Sequence, residues 1–183
     1  DLFLEAGNIS LKLREEGLKK EIKLDNTPVT NGDIEVNKLI TNKIMKLTPE
    51  IPIVSEESSK NKSNKTLKTF WLIDPIDGTY DYINNKDEFT INAGLIINNR
   101  PEVGIIYAPA KKRLFYSYHE GMSFEISGNK KEKLNCKKTS KKGEIIAVSY
   151  SNELKPQIKD WHKKFNVTEH VKMKSSLKFC VIA

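Results

Sequence analysis

Phe70-Trp71-Leu72-Ile73-Asp74-Pro75-Ile76-Asp77-Gly78-Thr79 joins an apolar run to two carboxylates, a glycine and a threonine. Proline biases the residue before it toward extended backbone, so Asp74 reads as the last residue of a strand. The chain then turns, and Asp74 and Asp77 can converge on one point. Gly78 permits a ligand to approach the backbone closely. Its N–H and that of Thr79 suit phosphate oxygens held at a helix start. Upstream, a second apolar run, Ile51-Pro52-Ile53-Val54, is followed by Glu56-Glu57. Two short strands ending in carboxylates gather the hard oxygens that Mg²⁺ requires. Four such groups repel one another unless cations neutralise them. The pattern implies a magnesium site facing a phosphate. Glu56 and Glu57 alternate sides, so only one faces the point. Glu56 is the expected ligand and Glu57 its water-mediated partner. The Thr79 hydroxyl suits an attacking water. Asp33 reads as its base partner, as a ligand of a weakly held metal, or as a helix cap, and these roles are compatible.

Composition narrows the class. A chain of 183 residues with 38% hydrophobic and 8% aromatic content can bury a core of one or two domains. No run of 18 or more apolar residues occurs, so no transmembrane helix is expected. The start, Asp1-Leu2-Phe3-Leu4-Glu5, is not a signal peptide. It lacks Met, and a few residues are expected to be missing. Cys136 and Cys180 have no metal-like spacing, which points to reduced thiols and a cytoplasmic protein. A peripheral position on the cytoplasmic face of the inner membrane is the alternative location. The net charge of +7 comes mostly from scattered lysines, with basic runs at 60–68, Lys111-Lys112-Arg113, 130–133 and 137–142. They fall in expected turns without interleaved aromatics, so a solvated surface is expected rather than a nucleic-acid interface. The positive field still favours a small polyanionic substrate. His119, His162 and His170 form no ligand set. No glycine-rich nucleotide loop is present.

Periodicity sets the order of elements. Leu2, Phe3, Ala6, Ile9 and Leu13 predict a first helix ending near Gly17. Asp25-Asn26-Thr27-Pro28 is turn chemistry. Thr30 and Asp33 form a capping box for a second helix, with Ile34, Leu39, Ile40, Ile44 and Leu47 as its stripe and Thr48-Pro49 as its stop. Residues 51–54 and 70–73 predict strands buried on both faces, with Trp71 in the core. The polar stretch 60–68 between them reads as a loop. Residues 89–97 and 102–107 predict a hairpin, and 113–118 and 122–126 further strands, with turns at Gly121 and Gly128. The order is α+β: two helices, then a meander on which they pack. Residues 137–143 read as a linker, dividing the chain into an N-terminal metal-binding domain, 1–136, and an incomplete α/β domain, 143–183. In the latter, 144–149 predicts a strand, 153–165 a helix, 166–171 a strand, and Ser175-Ser176 the cap of a last helix, 177–183. The apolar face of that helix ends without a polar tail.

Val54-Ser55-Glu56-Glu57-Ser58 and the stretch from Trp71 to Thr79 resemble the magnesium-dependent, lithium-sensitive phosphatases of the inositol monophosphatase family. Asp25-Asn26-Thr27-Pro28-Val29-Thr30, Glu88-Phe89-Thr90-Ile91-Asn92, Gly104-Ile105-Ile106-Tyr107-Ala108-Pro109 and Ser175-Ser176-Leu177-Lys178-Phe179-Cys180 are similar to its 3′(2′),5′-bisphosphate nucleotidase (CysQ) branch. The resemblance implies a layered α/β/α/β/α sandwich and a phosphoric monoester hydrolase. In that branch the substrate is a small phosphorylated nucleotide, adenosine 3′,5′-bisphosphate, a by-product of sulfate assimilation, or a related sulfated nucleotide. The resemblance implies two or three Mg²⁺ held by Glu56, Asp74, the carbonyl of Ile76, and Asp77. It implies that Asp33 and Thr79, with Glu56, form the catalytic group. Gly78 and Thr79 would bind phosphate, and Ser175, Ser176 and Lys178 would line the substrate pocket.

Two departures stand out. The branch has Lys-Glu after Gly-Thr, whereas this chain has Tyr80-Asp81. The family also carries a Trp-Asp metal-ligand motif further along, whereas Trp161 here precedes His162. About a quarter of a typical enzyme of this kind is expected to be absent, mostly C-terminal, leaving the second domain incomplete. Competing expectations are an inositol or sugar monophosphatase, an inactive fragment lacking the last metal ligand, and salt-sensitive DNA binding through the lysines. A sticky, marginal segment is expected after Gly143.

Overall fold

A computed structural model describes residues 1–58, 66–135 and 144–182. The linker expected at 137–143, the thiol of Cys136 and most of the loop expected at 60–68 lie outside the described residues. Helix α1 (Leu2–Glu16) and helix α2 (Asn31–Leu47) flank a hairpin of β1 (Lys20–Ile22) and β2 (Pro28–Thr30). Then follow β3 (Ile53–Ser55), β4 (Phe70–Asp77), the short helix α3 (Thr79–Ile83), β5 (Thr90–Ile97), β6 (Arg100–Ala108), β7 (Arg113–Tyr118), β8 (Ser123–Ser127) and β9 (Lys130–Lys133). Strands β3 to β9 form one sheet in chain order. Only β3 and β4 pair in parallel; the rest is an antiparallel meander. Beyond it, β10 (Ile145–Ser149) pairs in parallel with β11 (Val167–Lys172) around α4 (Pro156–Lys164), and α5 (Leu177–Cys180) follows. This is a layered α+β arrangement.

The two helices pack on one face of the large sheet. Phe3 and Ala6 of α1 and Val36, Ile40 and Ile44 of α2 meet Ile73, Ile91, Ala93 and Tyr107. A Cβ on Gly7 would overlap the Tyr107 ring, so that glycine lets α1 lie close to the sheet. The expected stripe of α2 is partly wrong. Ile34 and Leu47 are exposed, and Val36 takes the central place. A residue two beyond Ile34 and four before Ile40 lies on the sheet-facing side, and Ile34 does not.

Other expectations need correction. The run 70–73 is not buried on both faces, because Leu72 is 49% exposed on the face away from the helices. Gly94, Gly104 and Ser117 form a row of small residues beside it, bordering a cavity of about 390 Å³. Trp71 is partly buried and donates its Nε1–H to Thr48 Oγ1 at 3.1 Å. The lysines at 130–133 form edge strand β9 rather than a turn. Lysines on an edge strand discourage further pairing. Helix α4 begins at Pro156, the first-turn position that tolerates a missing N–H. The last helix has only four residues, and Ser176 makes no side-chain cap bond. The β1–β2 hairpin and α3 carry no apolar period and were not expected.

Candidate active site

The site forms where β3, β4, α2 and α3 end together. Parallel pairing of Ser55 with Ile73, continued by Glu56 N–H to Ile73 O at 3.0 Å, sets Glu56 level with Asp74. Within β4 the ladder to β5 slips. Asp74 faces Asn92 and Asp77 faces Thr90, with a bulge between. Residues three apart on a regular strand point to opposite faces. One extra residue changes that parity and turns Asp74 and Asp77 to the same side. Pro75, which has no N–H to give the ladder, lies inside the bulge. The sheet end thus brings Asp74 and Asp77 onto one side, with Glu56 level with Asp74 on the neighbouring strand.

Gly78 caps α3 with φ +95°, in the left-handed region. A Cβ there would meet Glu88 O at 3.0 Å, so glycine is required on two counts. The turn places Thr79 Oγ1 3.1 Å from Asp33 Oδ1 and 3.1 Å from the Ile76 carbonyl oxygen. Asp33 is also the N3 residue of α2, closing the capping box with the N-cap Thr30. Its Oδ2 accepts from Thr30 N–H at 2.8 Å and from the Thr30 hydroxyl at 2.6 Å, while Thr30 Oγ1 accepts from Gly32 N–H. Two of the roles that the sequence offers Asp33 are therefore compatible in one side chain. Burial pushes its carboxyl above the ordinary range, against hydrogen bonds from Thr30 and Thr79 that favour the charged form.

The electrostatics are unbalanced in favour of a cation. Asp74 Oδ1 is buried with no hydrogen-bond partner. Burial first, then the charges of Glu56, Asp77 and Asp33 and a hydrogen bond with Glu56, push its carboxyl up to about 8. An orphaned buried oxygen amid like charges fits a hard divalent cation. Among the described residues, no three His, Cys, Asp or Glu side chains yet stand in an arrangement that holds a metal outright. The carboxylates interact but stop short of a finished cage.

The two glutamates differ in exposure. Glu56 is the open one, with its side chain 46% exposed, and Glu57 is 9% exposed. Lys23 Nζ bridges them, 3.1 Å from Glu56 Oε1 and 2.7 Å from Glu57 Oε1. Burial raises the Glu57 carboxyl against the pull of Lys23.

Of the predicted pocket residues, Ser176 reaches the site. Its N–H donates to Asp77 Oδ2 at 2.5 Å. Thr90 and Ser176 hydroxyls lie 2.8 Å apart, and Ser176 Oγ donates to Asn92 Oδ1 at 2.8 Å. Ser175 is buried and accepts Leu177 N–H instead, and the Lys178 ammonium folds back to Ser175 O at 2.7 Å. Neither points at the carboxylates in this arrangement. Lys23 and Lys174 carry no sequence signal for the site, and Asn92 lies in the segment 88–92 that carries the resemblance without a role assigned to it. Lys174 Nζ lies 2.9 Å from Asp81 Oδ1, so the Tyr80-Asp81 departure is tied to the segment before Ser176. His170 Nε2 pairs with Ser149 Oγ at 2.8 Å, away from the carboxylates.

The chain matches the model of the inositol monophosphatase family over residues 1–183. It is 34% identical over 185 residues to the 3′(2′),5′-bisphosphate nucleotidase CysQ of Buchnera aphidicola, covering 100% of this chain and 69% of the relative. It is 30% identical over 162 residues to the protein of the same name from Escherichia coli K12, covering 88% of this chain but 64% of the relative. The chain thus spans about two thirds of the length of these curated relatives. The crystal structure of CysQ from Bacteroides thetaiotaomicron superposes with a TM-score of 0.75 at 27% identity, over 100% of this chain and 73% of that one. A carboxylate-lined sheet end, a Thr79–Asp33 pair and a match along the whole sequence agree, and the chain belongs to the inositol monophosphatase family.

Proposed function

We propose that this protein is a magnesium-dependent phosphatase that removes the 3′-phosphate of adenosine 3′,5′-bisphosphate or a related sulfated nucleotide. The observation that carries the reading is the Thr79–Asp33 hydrogen bond beside the orphaned Asp74 oxygen. The relatives named for this activity support the substrate.

Glu56, Asp74, Asp77 and the carbonyl of Ile76 would hold two or three Mg²⁺. Bound there, Mg²⁺ supplies positive charge for the phosphoryl oxygens and for the attacking and leaving oxygens. Thr79 gives its hydroxyl proton to Asp33, which leaves its oxygen lone pair to accept from a water. Asp33, already raised by burial, is the acceptor for that water's proton through Thr79. The water oxygen bonds phosphorus as the bond to the ribose 3′ oxygen breaks; that oxygen leaves with the bonding electron pair and takes a proton from solvent water to become the 3′-hydroxyl, and no covalent phosphoenzyme forms. The Gly78 and Thr79 amides would hold the phosphate, and Ser176 fixes Asp77. In this reading the chain divides into a metal-binding domain, 1–136, and a smaller domain, 143–183. No helix among the described residues is long and apolar enough to cross a membrane.

The test is phosphate release with Mg²⁺ from adenosine 3′,5′-bisphosphate and from myo-inositol 1-phosphate. Faster release from the nucleotide, abolished in Asp77→Asn, supports the reading. Preference for the inositol ester assigns the sugar-phosphate alternative. No turnover by the 183-residue chain, with turnover by a longer one, assigns the inactive-fragment alternative.

A further inference from the structure

We propose that the Lys23 ammonium is a built-in counter-ion at the glutamate pair, and that Mg²⁺ must take Glu56 from it. The inference rests on the metal-site reading above and extends it to a residue that sets how much Mg²⁺ the site needs.

One ammonium lies 3.1 Å from Glu56 Oε1 and 2.7 Å from Glu57 Oε1. Bridging adjacent carboxylates, it neutralises the repulsion that a divalent cation would otherwise relieve. Its place is unusual for a lysine on an open hairpin. Lysine heads normally stay in water. Ile22 and Leu24 on either side are 68% and 108% exposed, yet the Lys23 side chain is only 21% exposed.

The turn that carries Lys23 is closed by its own hydrogen bonds. Lys23 N–H donates to Thr27 O at 2.8 Å, Asn26 N–H donates to Lys23 O at 2.9 Å, and Asp25 Oδ1 accepts from Thr27 N–H at 3.0 Å. The hairpin base is tied to α2 by Asn31 N–H to Lys19 O and by Lys19 N–H to Asn31 Oδ1. The backbone therefore presents the ammonium, which lowers the entropy lost in holding a long side chain in one geometry.

The two contacts are unequal. Glu57, nearly buried and closer, is the anchor. Glu56 is the open partner, and its charge also bears on Asp74. A cation arriving from solvent meets Glu56 first, and Lys23 retains Glu57 when Glu56 is taken.

The experiment titrates Mg²⁺ by calorimetry into chelator-treated wild-type, Lys23→Met, Lys23→Arg and Lys20→Met forms of the 183-residue chain, with melting in EDTA alongside. Lys23→Met is expected to bind Mg²⁺ about fivefold more tightly, the factor that an ion pair of ~1 kcal/mol converts to. It is expected to melt lower than wild type in EDTA and to recover in saturating Mg²⁺. Lys23→Arg keeps the bridging charge and stays nearer wild type. Lys20→Met removes the same charge from the exposed neighbouring strand and is expected to shift affinity by less than about twofold at physiological salt. Equal tightening in Lys20→Met and Lys23→Met would be a field effect and would overturn the exchange. Unchanged or weaker binding in Lys23→Met overturns it too, while leaving the metal site standing. A wild-type chain that takes up no Mg²⁺ overturns both.

Discussion

The Thr79 hydroxyl lies 3.1 Å from Asp33 Oδ1, joining the first turn of α3 to the first turn of α2 across 46 residues of chain. The same carboxyl closes the capping box of α2 through its other oxygen. A side chain held by its neighbours on one oxygen presents the other in a fixed direction. Thr79→Ala is therefore expected to lower the turnover of an active form about a hundredfold or more, with little change in melting temperature. Thr79→Ser keeps the hydroxyl and should retain most activity. Steady-state phosphate release beside thermal melting checks both, and full activity in Thr79→Ala would remove Thr79 from the reaction.

Gly78→Ala is expected to destabilise the fold by ~1–3 kcal/mol, because left-handed backbone and the Glu88 carbonyl both oppose a Cβ. Gly121 has φ +69° but, among the described residues, nothing within 4 Å of an added Cβ. Gly121→Ala should cost only the backbone part, ~1 kcal/mol. Urea unfolding of the two variants measures the difference. Equal losses would mean that the Glu88 contact contributes nothing.

Asp74 gives a pH dependence of definite sign. Burial and the neighbouring carboxylates raise it to about 8 in the metal-free fold, against ~3.9 in the unfolded chain. Its contribution to stability is complete below the unfolded value and is lost as pH rises through about 8, because the unfolded chain gives up its proton first. Metal-free protein should thus melt lower at alkaline than at mildly acidic pH, and Asp74→Asn should flatten that slope. Mg²⁺ takes the carboxylate, so binding near neutral pH should release protons and tighten as pH rises. Calorimetry in buffers of different ionisation enthalpy reads the proton count. A count of zero at neutral pH would contradict the assignment.

Lys174 Nζ meets Asp81, whose side chain is 4% exposed, at 2.9 Å, and Lys86 stands 3.7 Å away on the other side. Lys174→Met leaves a nearly buried charge with its more exposed partner alone. A loss of ~1–3 kcal/mol is expected, below that of a fully buried pair because Lys174 is partly open. Adding Asp81→Asn should cost less than the sum of the two changes. Additive losses in chemical denaturation would show that the pair is not coupled.

The sequence made legible whatever rests on local chemistry. Thr30 with Asp33 is a capping box in the chain and in the fold. The apolar-then-acidic ends of β3 and β4 predicted the carboxylate gathering, and Gly78 the turn after it. Long-range placement was not legible. Lys23 reaches Glu56 through a hairpin of three-residue strands, too short to show an alternation, of which β1 is exposed throughout and β2 is buried at Val29 and Thr30. Strand β9 is four lysine- and glutamate-rich residues whose extended state comes from pairing with β8, so tertiary context overrides a turn-like composition. Ser175 and Lys178 share a segment with Ser176, and their hydrogen bonds to Leu177 N–H and Ser175 O stay within that segment.

A crystal of the chain soaked in Mn²⁺, a scatterer that takes Mg²⁺ sites, would show whether these carboxylates hold a divalent cation. An anomalous peak is expected at about 2.0–2.3 Å from carboxyl oxygens of Asp74 and Asp77, with Glu56 turned toward it. Full occupancy of Mn²⁺ elsewhere on the chain, with Asp74 Oδ1 still without a partner, would contradict it.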